Sequence, residues 1–222
     1  MRFEGKTAII TGAAGGMGAE EARLFARKSA RVVISDMSDD LGQGVVDETN
    51  AAAGESRYIH TYVSSESAWV SMVDQTLDKF GGLDILVNNA GLSPFLVSDN
   101  DDVDAWQPLM DVNLKSVCLG CRTVIPWMKK AGGGSIVNIS SIGGITGHYG
   151  GHPGYFAAKS GVRAFTKSMA FKHGPDGIRI NSVHPGVMPQ MRSAVHIGSL
   201  ESYNLAFERL IGLTPLRRRG SS

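Results

Sequence analysis

The sequence predicts an α/β chain built on a parallel sheet with helices packed on both faces. Two observations carry this. Short, wholly apolar runs alternate along the chain with longer segments of helical period, and strands apolar on both sides are those covered on both faces. The first such run, Thr7–Thr11, also leads through a glycine cluster straight into a helical pattern, the order in which a strand–helix–strand unit begins.

Taken in order, Thr7–Thr11 reads as the first strand and Met17–Lys28 as the helix after the glycine turn. Arg31–Ser35 is the second strand, Leu41–Ala52 the second helix, Arg57–Val63 the third strand and Ala68–Phe80 the third helix. Asp84–Val87 is the fourth strand. A long helix in two pieces covers Val103–Lys130. Ser135–Ile139 is the fifth strand, Gly154–His173 a further helix and Ile178–Val183 the sixth strand. The pattern is least regular over Pro189–Leu213, which is expected to be a mobile substrate loop. There is no internal repeat and no linker, so residues 1–222 are expected to form one domain.

Composition removes several classes of function. The 222 residues are 42% hydrophobic and 19% charged with a formal net charge of +1, so no global field favours nucleic acid or an anionic surface. The start, MRFEGKTAIITG, lacks the long apolar run of a signal peptide, and no stretch approaches the roughly 18 apolar residues of a membrane span. A cytoplasmic protein is expected. The two cysteines, Cys118 and Cys121, are spaced C-x-x-C. They fall a turn apart on a predicted helix, with no other thiols to complete a metal site, and are read as packing residues.

Two regions carry chemistry. After the first strand comes Thr11-Gly12-Ala13-Ala14-Gly15-Gly16-Met17-Gly18. Glycines there let the chain turn sharply and let backbone approach a pyrophosphate, at which the next helix aims its first amides. Together with the predicted strands, this makes the fold a Rossmann-type, doubly wound sheet. Asp36 ends the second strand 18 residues past Gly18 (36 − 18), close to the roughly 20-residue offset at which an acid reaches the adenosine ribose hydroxyls. A carboxylate there repels a 2′-phosphate, and no Arg or Lys stands beside it. The expected cofactor is NAD rather than NADP.

Further along, Tyr155 and Lys159 are four apart on a predicted helix and share a face. A free phenol titrates near pH 10 and is a weak base at neutrality; an adjacent ammonium favours the phenolate. Such a pair can take a proton from an alcohol or give one to a ketone. Ser140 and Ser141 end the fifth strand, and Asn88-Asn89-Ala90-Gly91 ends the fourth, at the carboxyl edge where such sheets bind ligands. Asn113 lies in the helix between them.

These pieces, with D-V-N, N-I-S-S, Y-F-A-A-K and H-P-G, come in an order that resembles the short-chain dehydrogenase/reductase family over residues 7–186. The resemblance implies hydride transfer between NAD(H) and a secondary alcohol or ketone. It implies that Tyr155 is the general acid–base, that Lys159 lowers its pKa and bonds the nicotinamide ribose, and that Ser141 holds the substrate oxygen. Asn113 would anchor a water that relays protons from Lys159. Ser141 is chosen over Ser140 by its spacing to the tyrosine, although 14 residues (155 − 141) is one more than the family's usual gap. The implied cofactor cradle is Gly12, Gly15, Gly16, Met17 and Gly18 at the pyrophosphate, with Asp36, Met37, Tyr62, Val63, Asn89, Ala90 and Gly91 toward the adenosine. Pro185, Gly186 and Val187 would lie near the nicotinamide. Tyr62 stands where the family commonly has an Asp, and Gln190 follows where it usually has a Thr.

For the substrate, Leu92, Ser93, Pro94, Val187 and Met188 imply a largely apolar pocket, made more polar by Gly143, His148, Tyr149 and His152. A cyclic or aryl secondary alcohol fits that lining. The i, i+4 pair His148/His152 lies in a Gly- and Pro-rich stretch that opposes a helix, so no metal site is expected. His184 is read as structural and Arg217-Arg218-Arg219 as a solvated basic run. Two alternatives remain at this point: a non-catalytic NAD-binding sensor and an inactive truncated enzyme. The family carries a last helix and strand beyond the point where this chain stops. Their absence predicts a six-stranded sheet with Ile178–Val183 as an open edge, explained by a shortened chain or by a partner covering the edge. Relatives form dimers and tetramers, so a homo-oligomer is expected.

Overall fold

The computed structural model describes residues 2–52, 54–95, 99–147, 151–188 and 200–220. Six parallel strands form one sheet in the order β3-β2-β1-β4-β5-β6. They are β1 (Thr7–Thr11), β2 (Arg31–Asp36), β3 (Glu55–His60), β4 (Ile85–Asn88), β5 (Gly134–Ile139) and β6 (Ile178–Val183). The chain starts at the centre, winds out to β3, crosses back to β4 and winds out to β6. The strand order reverses between β1 and β4, and loops from both halves diverge there to leave a crevice.

The strand residues alternate between two cores. Ile9, Val33, Leu86 and Ile136 face α3 (Glu66–Phe80) and α5 (Ser116–Lys130), packing on Trp69, Met72, Val124 and Met128. Ala8, Ile10, Val32, Ile34 and Val87 face α1 (Gly16–Arg27) and α2 (Asp39–Ala51). The α1 face is built from Gly18, Ala19, Ala22 and Ala26, small residues that bring this helix close to the sheet. At Gly18 the approach is closest: a Cβ would strike the Asn89 amide and the Gly12 carbonyl. Helix propensity alone would make Gly18→Ala stabilising by close to 1 kcal/mol. The collision is with backbone, so the variant is expected to lose about 1–3 kcal/mol instead. Thermal unfolding decides the sign, and a melting point at or above the parent's would contradict this packing.

Several boundaries differ from the sequence reading. Strand β3 ends at His60, not Val63, because it pairs with β2 from Arg31↔Glu55 to Asp36↔His60 and its partner stops there. The expected two-piece helix over Val103–Lys130 is a 3-10 turn (Val103–Ala105), α4 (Trp106–Met110), one π turn (Asp111–Lys115) and then α5. The wide π turn contains Asn113. Residues 200–213, expected to be an irregular loop, instead form α7 (Leu200–Leu213); residues 189–199 lie outside the described residues. The missed signal was the helical spacing of Phe207, Leu210 and Ile211.

As expected, β6 pairs only with β5 among the described residues. Its Arg179, Asn181 and Val183 are exposed, whereas every residue of β1 is buried. No helix among the described residues is long and apolar enough to cross a membrane.

Candidate active site

A cleft of about 640 Å³ opens at the carboxyl ends of β1, β2, β4, β5 and β6. One end is the glycine turn. Gly12 has φ +66° and its missing Cβ would lie 2.8 Å from the Ala90 Cα, so only glycine lets the two loops meet here. Gly15 precedes α1 in extended conformation and no side chain caps that helix. The first-turn amides of a helix have no intrahelical acceptor. Together with the helix dipole they make a seat for an anionic group, and a pyrophosphate fits that donor set. Gly15, Gly16 and Met17 line the seat. Gly18 does not; it serves the packing described above. The Asn89 side chain also turns inward, donating from Nδ2 to the carbonyls of Thr11 (2.9 Å) and Gly12 (3.1 Å). It braces the glycine turn.

Asp36, Met37, Tyr62 and Val63 line the next stretch of the cleft. The Asp36 carboxylate accepts from the amides of Ala14 (3.1 Å), Met37 (2.8 Å) and Ser38 (3.1 Å). It therefore ties the glycine turn to the end of β2 while presenting negative charge to the cleft. Tyr62 is half exposed, with its ring edge-on to His60.

At the other end stand Ser141, Tyr155 and Lys159. Helix α6 (Pro153–His173) puts Tyr155 and Lys159 one turn apart, both buried. Burial pushes the Tyr155 phenol up, and its hydrogen bond with Ser141 pulls it down. Burial also depresses the Lys159 ammonium to about 8. Its Nζ donates to the Ile139 carbonyl (2.9 Å) and lies 5.9 Å from the Tyr155 ring centroid. Between the two serines the geometry discriminates. The Ser140 hydroxyl donates to the Lys159 carbonyl (2.8 Å), whereas Ser141 Oγ accepts from the Gly143 amide (3.0 Å) and meets Tyr155.

Asn113 is fully buried behind this group and does not line the cleft. Its Oδ1 accepts from the Leu92 amide (3.1 Å), and its Nδ2 has no partner among the described residues. A Cβ on Gly91 would lie 2.8 Å from Asn113 Oδ1 and 3.4 Å from Lys159 Nζ; the bare glycine keeps that space open.

Ala90, Gly91, Ser93, Gly143, Pro185, Gly186, Val187 and Met188 line the cleft. His152 does not. It is buried at the start of α6, where Nδ1 accepts from the Gly154 amide (3.0 Å) and Nε2 lies 2.8 Å from the Asp102 carbonyl. Both nitrogens are used, so it is a helix cap rather than part of a substrate mouth. His148, Tyr149 and Gln190 lie outside the described residues. The sequence reading missed Phe95, Ile142, Phe156, Phe207 and Leu210, which add apolar wall. The last two come from α7. Cys121 is buried with its thiol pushed up to about 12, and Cys118 is exposed on the same helix. A thiol so hard to ionise is a poor nucleophile and metal ligand.

The buried ammonium has a cost that can be measured. In the folded chain Lys159 loses its proton near pH 8, and in the unfolded chain near 10.5. Below pH 8 both states are charged and folding bears the whole burial penalty, about 3 kcal/mol. Between the two values the unfolded chain holds more proton, so stability rises with pH. Lys159→Met removes this term. The melting temperature of the parent relative to the variant is expected to climb from about pH 7 to about pH 10; a constant difference would contradict it.

Comparison with known proteins agrees with this geometry. The short chain dehydrogenase family matches residues 6–195. A 3-alpha-(or 20-beta)-hydroxysteroid dehydrogenase of Mycobacterium bovis is 45% identical over 187 residues, spanning 84% of this chain and 70% of the relative. A cyclopentanol dehydrogenase of Comamonas sp. is 41% identical over 187 residues, spanning 84% and 74%. Among solved structures, a 7 alpha-hydroxysteroid dehydrogenase complexed with NADH and 7-oxo glycochenodeoxycholic acid superposes with a TM-score of 0.88 at 31% identity, covering 99% of this chain and 84% of that one. Sheet order, glycine turn, cleft and sequence likeness thus agree, and the chain belongs to the short-chain dehydrogenase family of oxidoreductases.

Proposed function

We propose that this protein moves a hydride between NAD(H) and a cyclic or aryl secondary alcohol or its ketone. The observation that carries the reading is the Ser141–Tyr155–Lys159 group at one end of a cleft whose other end is an uncapped helix N-terminus and an acid. The relatives named for hydroxysteroid and cyclopentanol oxidation support the choice of a cyclic secondary alcohol. The apolar wall of Leu92, Pro94, Phe156 and Met188 fits such a ring.

NAD, when bound, supplies the hydride acceptor and a positively charged ring. The chain's own residues manage the proton. Tyr155 accepts the alcohol proton in oxidation and returns one in reduction. Its phenol starts at a disadvantage, because burial opposes the phenolate. The Lys159 ammonium and the Ser141 hydroxyl offset this by favouring the negative oxygen. Ser141 also holds the substrate oxygen at hydrogen-bond distance from Tyr155. We assign Asn113, whose Nδ2 lacks a protein partner, to a water that carries protons away from Lys159.

We propose that the protein works in the cytoplasm as a homo-oligomer. Exposed Phe171 and Val103, and the side of β6 that is unpaired among the described residues, support a further subunit contact. A panel of cyclic, aryl and open-chain secondary alcohols with NAD, followed by NADH formation, tests the function. No turnover of any member, despite NADH binding, would reject it.

A further inference from the structure

We propose that His184 is a positioning residue for Ser141, setting the direction of its hydroxyl; this rests on the hydride-transfer reading above. His184 follows the last residue of β6. Its Nδ1 lies 3.1 Å from the Ser141 carbonyl oxygen, and its Nε2 lies 3.0 Å from the Ser182 hydroxyl. A carbonyl can only accept, so Nδ1 carries the hydrogen. In the neutral ring Nε2 is then the acceptor, and Ser182 donates to it. The imidazole bridges the exit of β6 to the peptide of Ser141, with its tautomer set by both contacts.

Ser141 lies just past the end of the sheet ladder, where contacts other than strand pairing hold it. The β5–β6 ladder ends at Ile139↔Val183. Beyond it, Ser140 donates its amide to Val183 (2.8 Å) and Ile142 donates to Pro185 (2.9 Å). The carbonyl of Ser141 accepts twice, from the Gly144 amide inside its own turn (2.9 Å) and from His184 across the fold (3.1 Å). On its other side, Ser141 Oγ accepts from the Gly143 amide (3.0 Å). The peptide and the acceptor side of Oγ are thus both held, which leaves the hydroxyl hydrogen to point at Tyr155. Without His184 the Ser141 carbonyl keeps only the Gly144 amide of its own turn, one tie to the exit of β6 is lost, and the hydroxyl is aimed less firmly.

The test uses the full chain, NAD and the best alcohol of the panel. His184→Ala is expected to lower kcat about tenfold, the scale of one misplaced hydrogen bond. The alcohol KM and the NADH affinity, read by fluorescence titration, are expected to stay within about twofold. The pH profile of kcat moves to higher pH, because Ser141 no longer favours the phenolate. His184→Asn restores most of the rate, since its amide nitrogen sits near the place of Nδ1. In a Ser141→Ala background, His184→Ala costs nothing further. Histidine nitrogen NMR on the parent reports the Nδ1–H tautomer, a reading that needs neither turnover nor a stable variant. An Nε2–H tautomer, an additive loss in the double variant, or an unrescued His184→Asn overturns the assignment. A parent that binds NADH but turns over no alcohol overturns the hydride-transfer reading, and this assignment with it.

Discussion

Tyr155→Phe is expected to lower kcat by about 10²–10⁴-fold, the usual contribution of a general acid–base group. The change removes one oxygen and leaves a ring of the same shape between Phe156 and Lys159. That ring is buried, edge-on to Phe156 at 5.6 Å between centroids, so packing and melting temperature are expected to hold. NADH affinity is also expected to hold, because the glycine turn and Asp36 lie at the other end of the cleft. The effect should fall on kcat and kcat/KM together, the pattern of an interaction made only in the transition state. Among the described residues lining the cleft, Tyr62 carries the other phenol, but it stands beside His60 near Asp36. It cannot substitute. A variant with near-parental turnover would remove Tyr155 from the mechanism.

The second large effect concerns the cofactor. NAD is expected to be used at least tenfold better than NADP, a margin of about 1.4 kcal/mol. A 2′-phosphate would meet the Asp36 carboxylate. Among the described residues that line the cleft, Lys159 is the sole Lys or Arg, and it is buried at the far end beside Tyr155. Asp36→Ala is expected to raise the NAD KM by about 10- to 100-fold, since a hydrogen bond to a charged group contributes 1.5–3 kcal/mol. Part of that loss comes from the glycine turn, which Asp36 holds through the Ala14 amide. NADP should suffer less, so the discrimination collapses. Steady-state KM values for both cofactors, on parent and variant, check this. Equal use of NAD and NADP by the parent would contradict it.

The split between what was legible and what was not follows from the range of the forces involved. Strand identity depends on local apolar runs: β1, β2, β4 and β5 each hold one, whereas β3 and β6 carry apolar residues between polar ones. Their parallel order followed from the alternation with helices. The glycine turn was legible because a positive φ demands glycine locally, as at Gly12 and Gly16. Tyr155 and Lys159 were legible because four residues on a helix are neighbours whatever surrounds them.

Other features depended on partners distant in the chain. Gly18 looks like a third phosphate-loop glycine, but its need for bareness comes from the Gly12 carbonyl together with Asn89, in another loop. His152 looked like a cleft residue until Asp102, 50 positions earlier, took one ring nitrogen and the start of α6 took the other. Ser140 and Ser141 are adjacent and chemically identical. Only the Lys159 carbonyl on one side and the Gly143 amide on the other separate their hydrogen bonding. Helix α7 carries a helical period within a stretch that reads as loop, and only the fold brings Phe207 and Leu210 to the cleft. The sequence by itself thus determined the elements, the sheet and the nearness of Tyr155 to Lys159, because local patterns and near spacings encode them. The tertiary structure decided which polar atoms are already engaged and which remain to face a ligand, because hydrogen bonds across the fold assign those.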